Sequence, residues 1–277
     1  MISKKILQFV DKIATYKKHN RYCIGIIEKN YNDFLKNLDN DDYIIDLISK
    51  IISGNVLILR AAVNRDFCDT LKIKLNHFAK VENKIDHKIL NGIKNGFYIS
   101  KNLNGPGYKT LDRSFYFFSF NKDLTGIFSQ IMKLYKPLKI LNGLDSEEYS
   151  KNIPSDGVVE RLHVIHYPDG GGQISKHTDS IKYAIANFGL YLTEFGKDYE
   201  VGGFYAEDKN SNKIIVDKYV RKGDFVIFFP GIIHGVDPVY CKKNNNLDIS
   251  IAGRWFVNIN IIESHHIKNR EYSKKVD

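Results

Sequence analysis

Residues 167–179 read Tyr167-Pro168-Asp169-Gly170-Gly171-Gly172-Gln173-Ile174-Ser175-Lys176-His177-Thr178-Asp179, and the reading of this stretch decides the fold. Tyr167 ends a β-branched and aromatic run that begins at Val158, so a strand leads into it. The glycines at 170–172 supply a bend. His177 and Asp179 then stand two apart on an extended segment, where side chains point the same way and both can reach one ion. In a chain with 9 His such a pair also arises by chance, as a surface histidine beside a capping aspartate. Its surroundings must carry the reading.

Downstream, short β-branched or aromatic segments alternate with turn residues. The predicted strands are Val158 to Tyr167, Ala184 to Thr193, Gly202 to Glu207, Lys213 to Asp217, Asp224 to Phe229 and Leu247 to Ile262, with a hairpin turn at Asp208 to Asn212. In one of them Asn187, Gly189, Tyr191 and Thr193 alternate with Ala186, Phe188, Leu190 and Leu192; in the last, Asp248, Ser250, Ala252, Arg254 and Phe256 alternate with Ile249, Ile251, Trp255 and Val257. Polar faces of this kind line the lumen of ligand-holding barrels, which turns Tyr191 and Arg254 toward one cavity.

Upstream the texture is mainly helical. Ile2, Ile6, Val10 and Ile13 recur at helical spacing, as do Ile44, Leu47, Ile48, Ile51 and Ile52. Asn55 to Arg60 is a short apolar strand. Asn64 can cap a helix that buries Phe67, Cys68, Leu71, Leu75 and Phe78. The aromatic row Arg113 to Phe120 reads as a core strand from which Arg113 or Tyr116 could reach the cavity mouth. The expected fold is α+β, a jelly-roll core with helices packed outside, mostly from the N-terminal half. The expected organisation is one catalytic domain over 1–277: a helical extension at 1–53, helices and strands at 54–156, the jelly roll at 157–262 and a tail at 263–277.

With 277 residues, 43% hydrophobic and 26% charged, the chain can bury one large core without disulfides or a structural metal. Cys23, Cys68 and Cys241 form no CxxC pair and read as reduced thiols. No apolar run approaches the roughly 20 residues of a membrane helix, and residues 1–20 lack a secretory pattern, so a cytoplasmic protein without membrane contact is expected. The net charge of +9 comes from 33 Lys and only 8 Arg, a poor set for reading bases, so no nucleic-acid partner is expected. Nothing in the sequence sets an oligomeric state.

A third ligand for an ion at His177 and Asp179 is best supplied by His234, just past the turn Pro230-Gly231. Two histidines and one carboxylate leave three open positions, the pattern diagnostic of non-haem Fe(II) oxygenases. The stretch from about Val159 to Ile262 resembles the prolyl 4-hydroxylase-like catalytic domain of the iron(II)/2-oxoglutarate-dependent dioxygenase superfamily, whose core is a double-stranded β-helix. Four ordered parts carry the resemblance: Tyr167-Pro168 with His177-Thr178-Asp179; Leu190-Tyr191-Leu192 with Gly202-Gly203-Phe204; Lys222-Gly223-Asp224 through Pro230 to His234; and Gly253-Arg254-Trp255-Phe256.

The resemblance implies that His177, Asp179 and His234 ligate Fe(II) and that Arg254, a planar fork suited to carboxylates, pairs with the distal carboxylate of 2-oxoglutarate. It also places Tyr191 on that carboxylate and Tyr167 near the metal-bound end. The implied reaction uses O2 and 2-oxoglutarate to hydroxylate a substrate C–H, releasing succinate and CO2. Since Asp179 is present, no position is left for a halide. The chain departs from the family in that Arg254 stands 20 positions after His234, about twice the usual spacing, with the excess in a polar loop from Cys241 to Leu247. Lys242 and Lys243 are weaker candidates for the carboxylate partner because they sit in that loop.

The nucleic-acid demethylating branch is disfavoured, since its second arginine falls at Asn260. A small polar substrate, amino-acid derived among the options, is the preferred reading. The alternatives are a protein or peptide prolyl- or lysyl-type hydroxylase and a cupin-like metal-binding protein that is not an oxygenase. Desaturation, cyclisation and epimerisation stay open as outcomes. His163 faces the same way as Tyr167 and can touch substrate; His166 reads as core; His19, His77, His87, His265 and His266 read as solvated.

Overall fold

A computed structural model describes residues 2–14, 21–81, 85, 88–104, 107–123, 125–241 and 251–276. The helices are α1 (Lys4–Ala14), α2 (Tyr31–Lys36), α3 (Asp41–Ile52), α4 (Arg65–Val81) and α5 (Ile127–Tyr135). The strands are β1 (Gly25–Asn30), β2 (Asn55–Arg60), β3 (Gly96–Asn102), β4 (Thr110–Phe118), β5 (Val158–Pro168), β6 (Gly172–Thr178), β7 (Asn187–Tyr191), β8 (Val201–Glu207), β9 (Lys213–Ile215), β10 (Phe225–Phe228), β11 (His234–Tyr240), β12 (Gly253–Glu263) and β13 (Lys274–Lys275).

The strands pair in the order β1-β2-β10-β7-β12-β5-β4-β6-β11-β8-β9, with β3 added to β4 and β13 to β6. Only β1–β2 is parallel among the described pairs. That pairing needs a crossover, and α2 and α3 provide it. Asn40 caps α3 by accepting from the Tyr43 amide at 3.1 Å, and α3 buries Ile44, Leu47, Ile48 and Ile51, the face its periodicity predicts. Valine, leucine and isoleucine at 56–59 are all buried, as a strand covered on both sides requires. Asn64 accepts from the Phe67 amide at 2.8 Å and so caps α4.

The sheet folds over so that β5, β12 and β7 face β6, β11 and β8, the double-wound jelly roll, and one cavity between them is lined from both sides. β12 lies between β5 and β7 and pairs with β5 over its whole length, Arg254 opposite Tyr167 and Asn260 opposite Arg161. One hydrophobic cluster runs from Ile6 to Ile259 and unites the N-terminal helices with this core.

Three expectations change. Residues 1–53 are not wholly helical: Gly25–Asn30 adds β1 to the sheet, its backbone bonded to the apolar β2. Residues 263–277 are not a free tail, because Lys274–Lys275 pair with β6 opposite Thr178 and His177. The strand expected from Ala184 spans only Asn187–Tyr191, since the amides of Ile185 and Ala186 are taken by the Asn142 carboxamide. The start of the strand expected from Leu247, with Lys242, Lys243, His19 and His87, lies outside the described residues. Among the described residues no helix is long and apolar enough to cross a membrane.

Candidate active site

His177 is the last residue but one of β6 and His234 begins β11, and the antiparallel register sets them directly opposite each other, with ring centroids 4.3 Å apart. Asp179 follows β6, and its amide donates to the Pro230 carbonyl at 2.9 Å, which ties it to the turn before His234. Each histidine Nδ1 donates to a backbone carbonyl two residues back, Ser175 or Ile232, at 2.8 Å. Those bonds fix the tautomer and leave both Nε2 lone pairs free. The Nε2 atoms of His177 and His234 lie 3.6 and 3.5 Å from the Asp179 carboxylate.

The three ligand atoms lie within 4.8 Å of one another. Two bare imidazole nitrogens and a carboxylate, all fixed by hydrogen bonds, form a donor set that fits a divalent metal with open faces. Burial, and then the neighbouring His234, pull His177 down to about 4, so it is neutral and ready to ligate at pH 7. Burial acts to raise the Asp179 carboxyl, yet His234, His177 and the Ser273 hydroxyl together hold it below its ordinary range. Asn187 Nδ2 donates to Asp179 Oδ2 at 2.7 Å, and Ser273 Oγ to Oδ1 at 2.6 Å.

On the β12 side of the cavity, Arg254 is fully buried. Its Nη2 donates to Tyr191 Oη at 2.7 Å, so the two residues that strand alternation turned toward one cavity do meet. Its Nε donates to Asp217 at 2.7 Å and its Nη2 reaches the same carboxylate at 3.2 Å. Its Nη1 is buried with no protein partner. An orphaned guanidinium nitrogen in a cavity that also holds the three candidate metal ligands is a built receptor for a carboxylate, so the donors fit 2-oxoglutarate as well as a metal. Tyr167 also lines the cavity; its ring stacks on Phe256 at 6.2 Å, and burial pushes its phenol up, so it stays neutral.

Sequence reasoning missed Asp217. Its Oδ2 also accepts from Tyr199 Oη at 2.5 Å and from the Phe204 amide at 2.8 Å. Gly203 explains part of the Gly202-Gly203 pair: it has φ +100, and a Cβ there would strike the Asp217 carboxylate. Asn187 was legible on the polar face of β7, whereas Ser273 lies in a segment without periodicity. Arg113 does not reach the cavity; it pairs opposite His166 and turns toward Asn76. His166 is buried, bonded to the Ala252 carbonyl at 2.8 Å and stacked on Trp255. His265 is only partly exposed, and its Nδ1 accepts from the Ile89 amide.

The chain has the fold of the Fe(II)/2-oxoglutarate-dependent oxygenases. A 2OG-Fe(II) oxygenase family protein from Caulobacter crescentus aligns with a TM-score of 0.51 at 11% identity, over 86% of this chain and 87% of its own. A full-length Neurospora crassa protein, solved in complex with alpha-KG and thymine, aligns with a TM-score of 0.50 at 13% identity over 95% of each chain. A Trichoplax adhaerens prolyl hydroxylase, solved with a hypoxia-inducible-factor peptide fragment, aligns with a TM-score of 0.50 at 13% identity, over 84% of this chain and 93% of its own. No protein-family model and no curated protein sequence matches the chain.

Proposed function

We propose that the protein is an Fe(II)/2-oxoglutarate-dependent dioxygenase that hydroxylates an unactivated C–H of a small polar metabolite, with residues 1–277 acting as one catalytic domain. The observation that carries this is the sharing of one cavity by the His177–Asp179–His234 cluster and the unpartnered Nη1 of Arg254. The cavity measures about 220 Å³, below the roughly 300–1,000 Å³ of drug-sized sites, which favours a small substrate over a peptide.

In this reading His177, Asp179 and His234 hold Fe(II), Arg254 and Tyr191 hold the distal carboxylate of 2-oxoglutarate, and Tyr167 lies toward its metal-bound end. Bound together, the iron and 2-oxoglutarate supply the oxidising power from O2, with succinate and CO2 released. The protein's own work is positional. Asp217 locks the Arg254 fork, leaving one face for the incoming carboxylate. Phe228, packed edge-on against His234 with centroids 4.9 Å apart, and Tyr108, edge-on against His177, shield the ligands from water.

The test is an anaerobic titration of the apoprotein with Fe(II) and then 2-oxoglutarate, watching the visible charge-transfer band of chelated 2-oxoglutarate. The band should form with wild-type protein and be lost in Asp179→Ala. Stoichiometric iron binding with no band would return the site to a cupin-like reading.

A further inference from the structure

Along the β5–β12 ladder the cavity wall runs from Arg254 and Tyr167 through Phe256 and Ile165 to a second polar end, where His163 faces Asn258 and Arg161 faces Asn260. Arg254 and Asn260 are six residues apart, which is roughly 20 Å of strand. The far end therefore lies well beyond the reach of whatever Arg254 holds.

Arg161 is a cation without an anion. Its Nε is buried and unpartnered, and its Nη2 makes only a long 3.5 Å contact to Asn260 Oδ1. Its guanidinium rests on the Tyr116 ring at 4.6 Å. Among the described residues no carboxylate lies within ion-pair distance of it. A guanidinium whose Nε is sealed from water without a partner is costly unless a counterion joins it. A neighbouring pocket that shares Arg161, Asp179, Asn260 and Ser273 adds Arg270, a second guanidinium whose Nε is unpartnered.

Beside this cation stand two acceptors. Ser114 Oγ donates to Asp112 at 2.7 Å and lies 2.8 Å from His163 Nε2. With its proton committed to Asp112, the serine oxygen accepts from Nε2–H, and His163 Nδ1 is left as a lone pair. Burial, and then the charge of Arg161, hold His163 neutral. Asn258 Oδ1, opposite His163, is buried with no partner. An orphaned donor set and orphaned acceptors two residues apart on one wall match a ligand that carries an anion next to a hydrogen-bond donor.

We propose that Arg161, His163 and Asn258 form the substrate-anchoring subsite and that it takes a free α-amino acid, its carboxylate on Arg161 and its ammonium on His163 Nδ1 and Asn258 Oδ1. This rests on the oxygenase reading above. The anchor holds the zwitterionic end of the substrate at the far end of the wall, so the side chain is the part that reaches toward the metal.

The experiment measures 2-oxoglutarate-dependent succinate release with the twenty proteinogenic L-amino acids, their primary amides and their N-acetyl derivatives, alongside the Fe(II)·2-oxoglutarate band. At least one free amino acid should stimulate release, with its amide and its N-acetyl form at least about tenfold less effective. Arg161→Gln should raise the half-saturating concentration of that amino acid at least about tenfold and leave the 2-oxoglutarate Kd within about twofold. Asn258→Leu should erase the preference for the free amine over the N-acetyl form, and it serves if Arg161→Gln does not fold. Stimulation by none of the amino acids, equal stimulation by the amides, or an unchanged half-saturating concentration in Arg161→Gln together with an unchanged preference in Asn258→Leu would overturn the proposal. Absence of the band in wild-type protein would instead remove the oxygenase reading beneath it.

Discussion

In the proposed function Arg254 carries two loads, the Asp217 ion pair and the 2-oxoglutarate carboxylate, and the two can be separated. Burial acts against its charge, and the Asp217 carboxylate together with Tyr191 and Tyr199 more than compensates. Removing one partner of a buried ion pair costs about 3–5 kcal/mol because the other charge is stranded. Asp217→Asn should therefore lower the Tm by on the order of 10 °C and also loosen the fork. Arg254→Gln should weaken 2-oxoglutarate binding by about 10- to 150-fold, the loss expected when charge-assisted hydrogen bonds worth about 1.5–3 kcal/mol are removed. A band titration that returned the wild-type Kd would make Arg254 purely a structural partner of Asp217. At Gly203 the added methyl of Gly203→Ala meets both a positive φ and the Asp217 carboxylate, so it should reproduce the Asp217→Asn pattern in both readouts.

The elements that alternate or run apolar, β2, β5, β7, β10 and β12, were legible in the sequence because burial on one or two faces writes itself into period two or into unbroken apolar runs. β11 was less so. Gly235, Asp237 and Pro238 interrupt it, and the structure absorbs them as register shifts between His234 and Val236 and between Asp237 and Tyr240. The segment after Glu263 was not legible at all, since it is held by polar bonds: the Glu271 amide on Glu263, Ser180 on Glu271, and Ser273 on Asp179. Hydrophobic patterning cannot show such bonds. This segment nonetheless orients Asp179, a proposed metal ligand, from outside the jelly roll. Loss of a hydrogen bond that orients a ligand typically costs 10- to 100-fold in metal affinity, so Ser273→Ala should raise the Co(II) Kd by that factor in a calorimetric titration. An unchanged Kd would leave Asn187 as the sole orienting partner of consequence.

At the scale of the whole molecule, buried neutral histidines set how the protein meets acid. His166 is held at about 3, first by burial, with Arg113 and Lys72 adding to the effect and the Ala252 bond opposing it. His177 is held at about 4, and His163 lies well below its ordinary value of 6.5. Between these values and 6.5 the unfolded chain binds protons that the native fold refuses. Stability is therefore full above about pH 6.5 and falls as pH drops, by about 1.4 kcal/mol per pH unit for each such histidine. The +9 formal charge grows over the same range and adds self-repulsion of the same sign. Denaturant unfolding of metal-free protein should show a steep loss of stability between pH 6.5 and 4.5, and His166→Phe should be shallower by about one proton. His166 lines neither the cavity nor the candidate metal site, so the difference between the two slopes reports the core alone. A wild-type profile that stays flat across this window, or a variant as steep as wild type, would mean that the native core admits the charged imidazole after all.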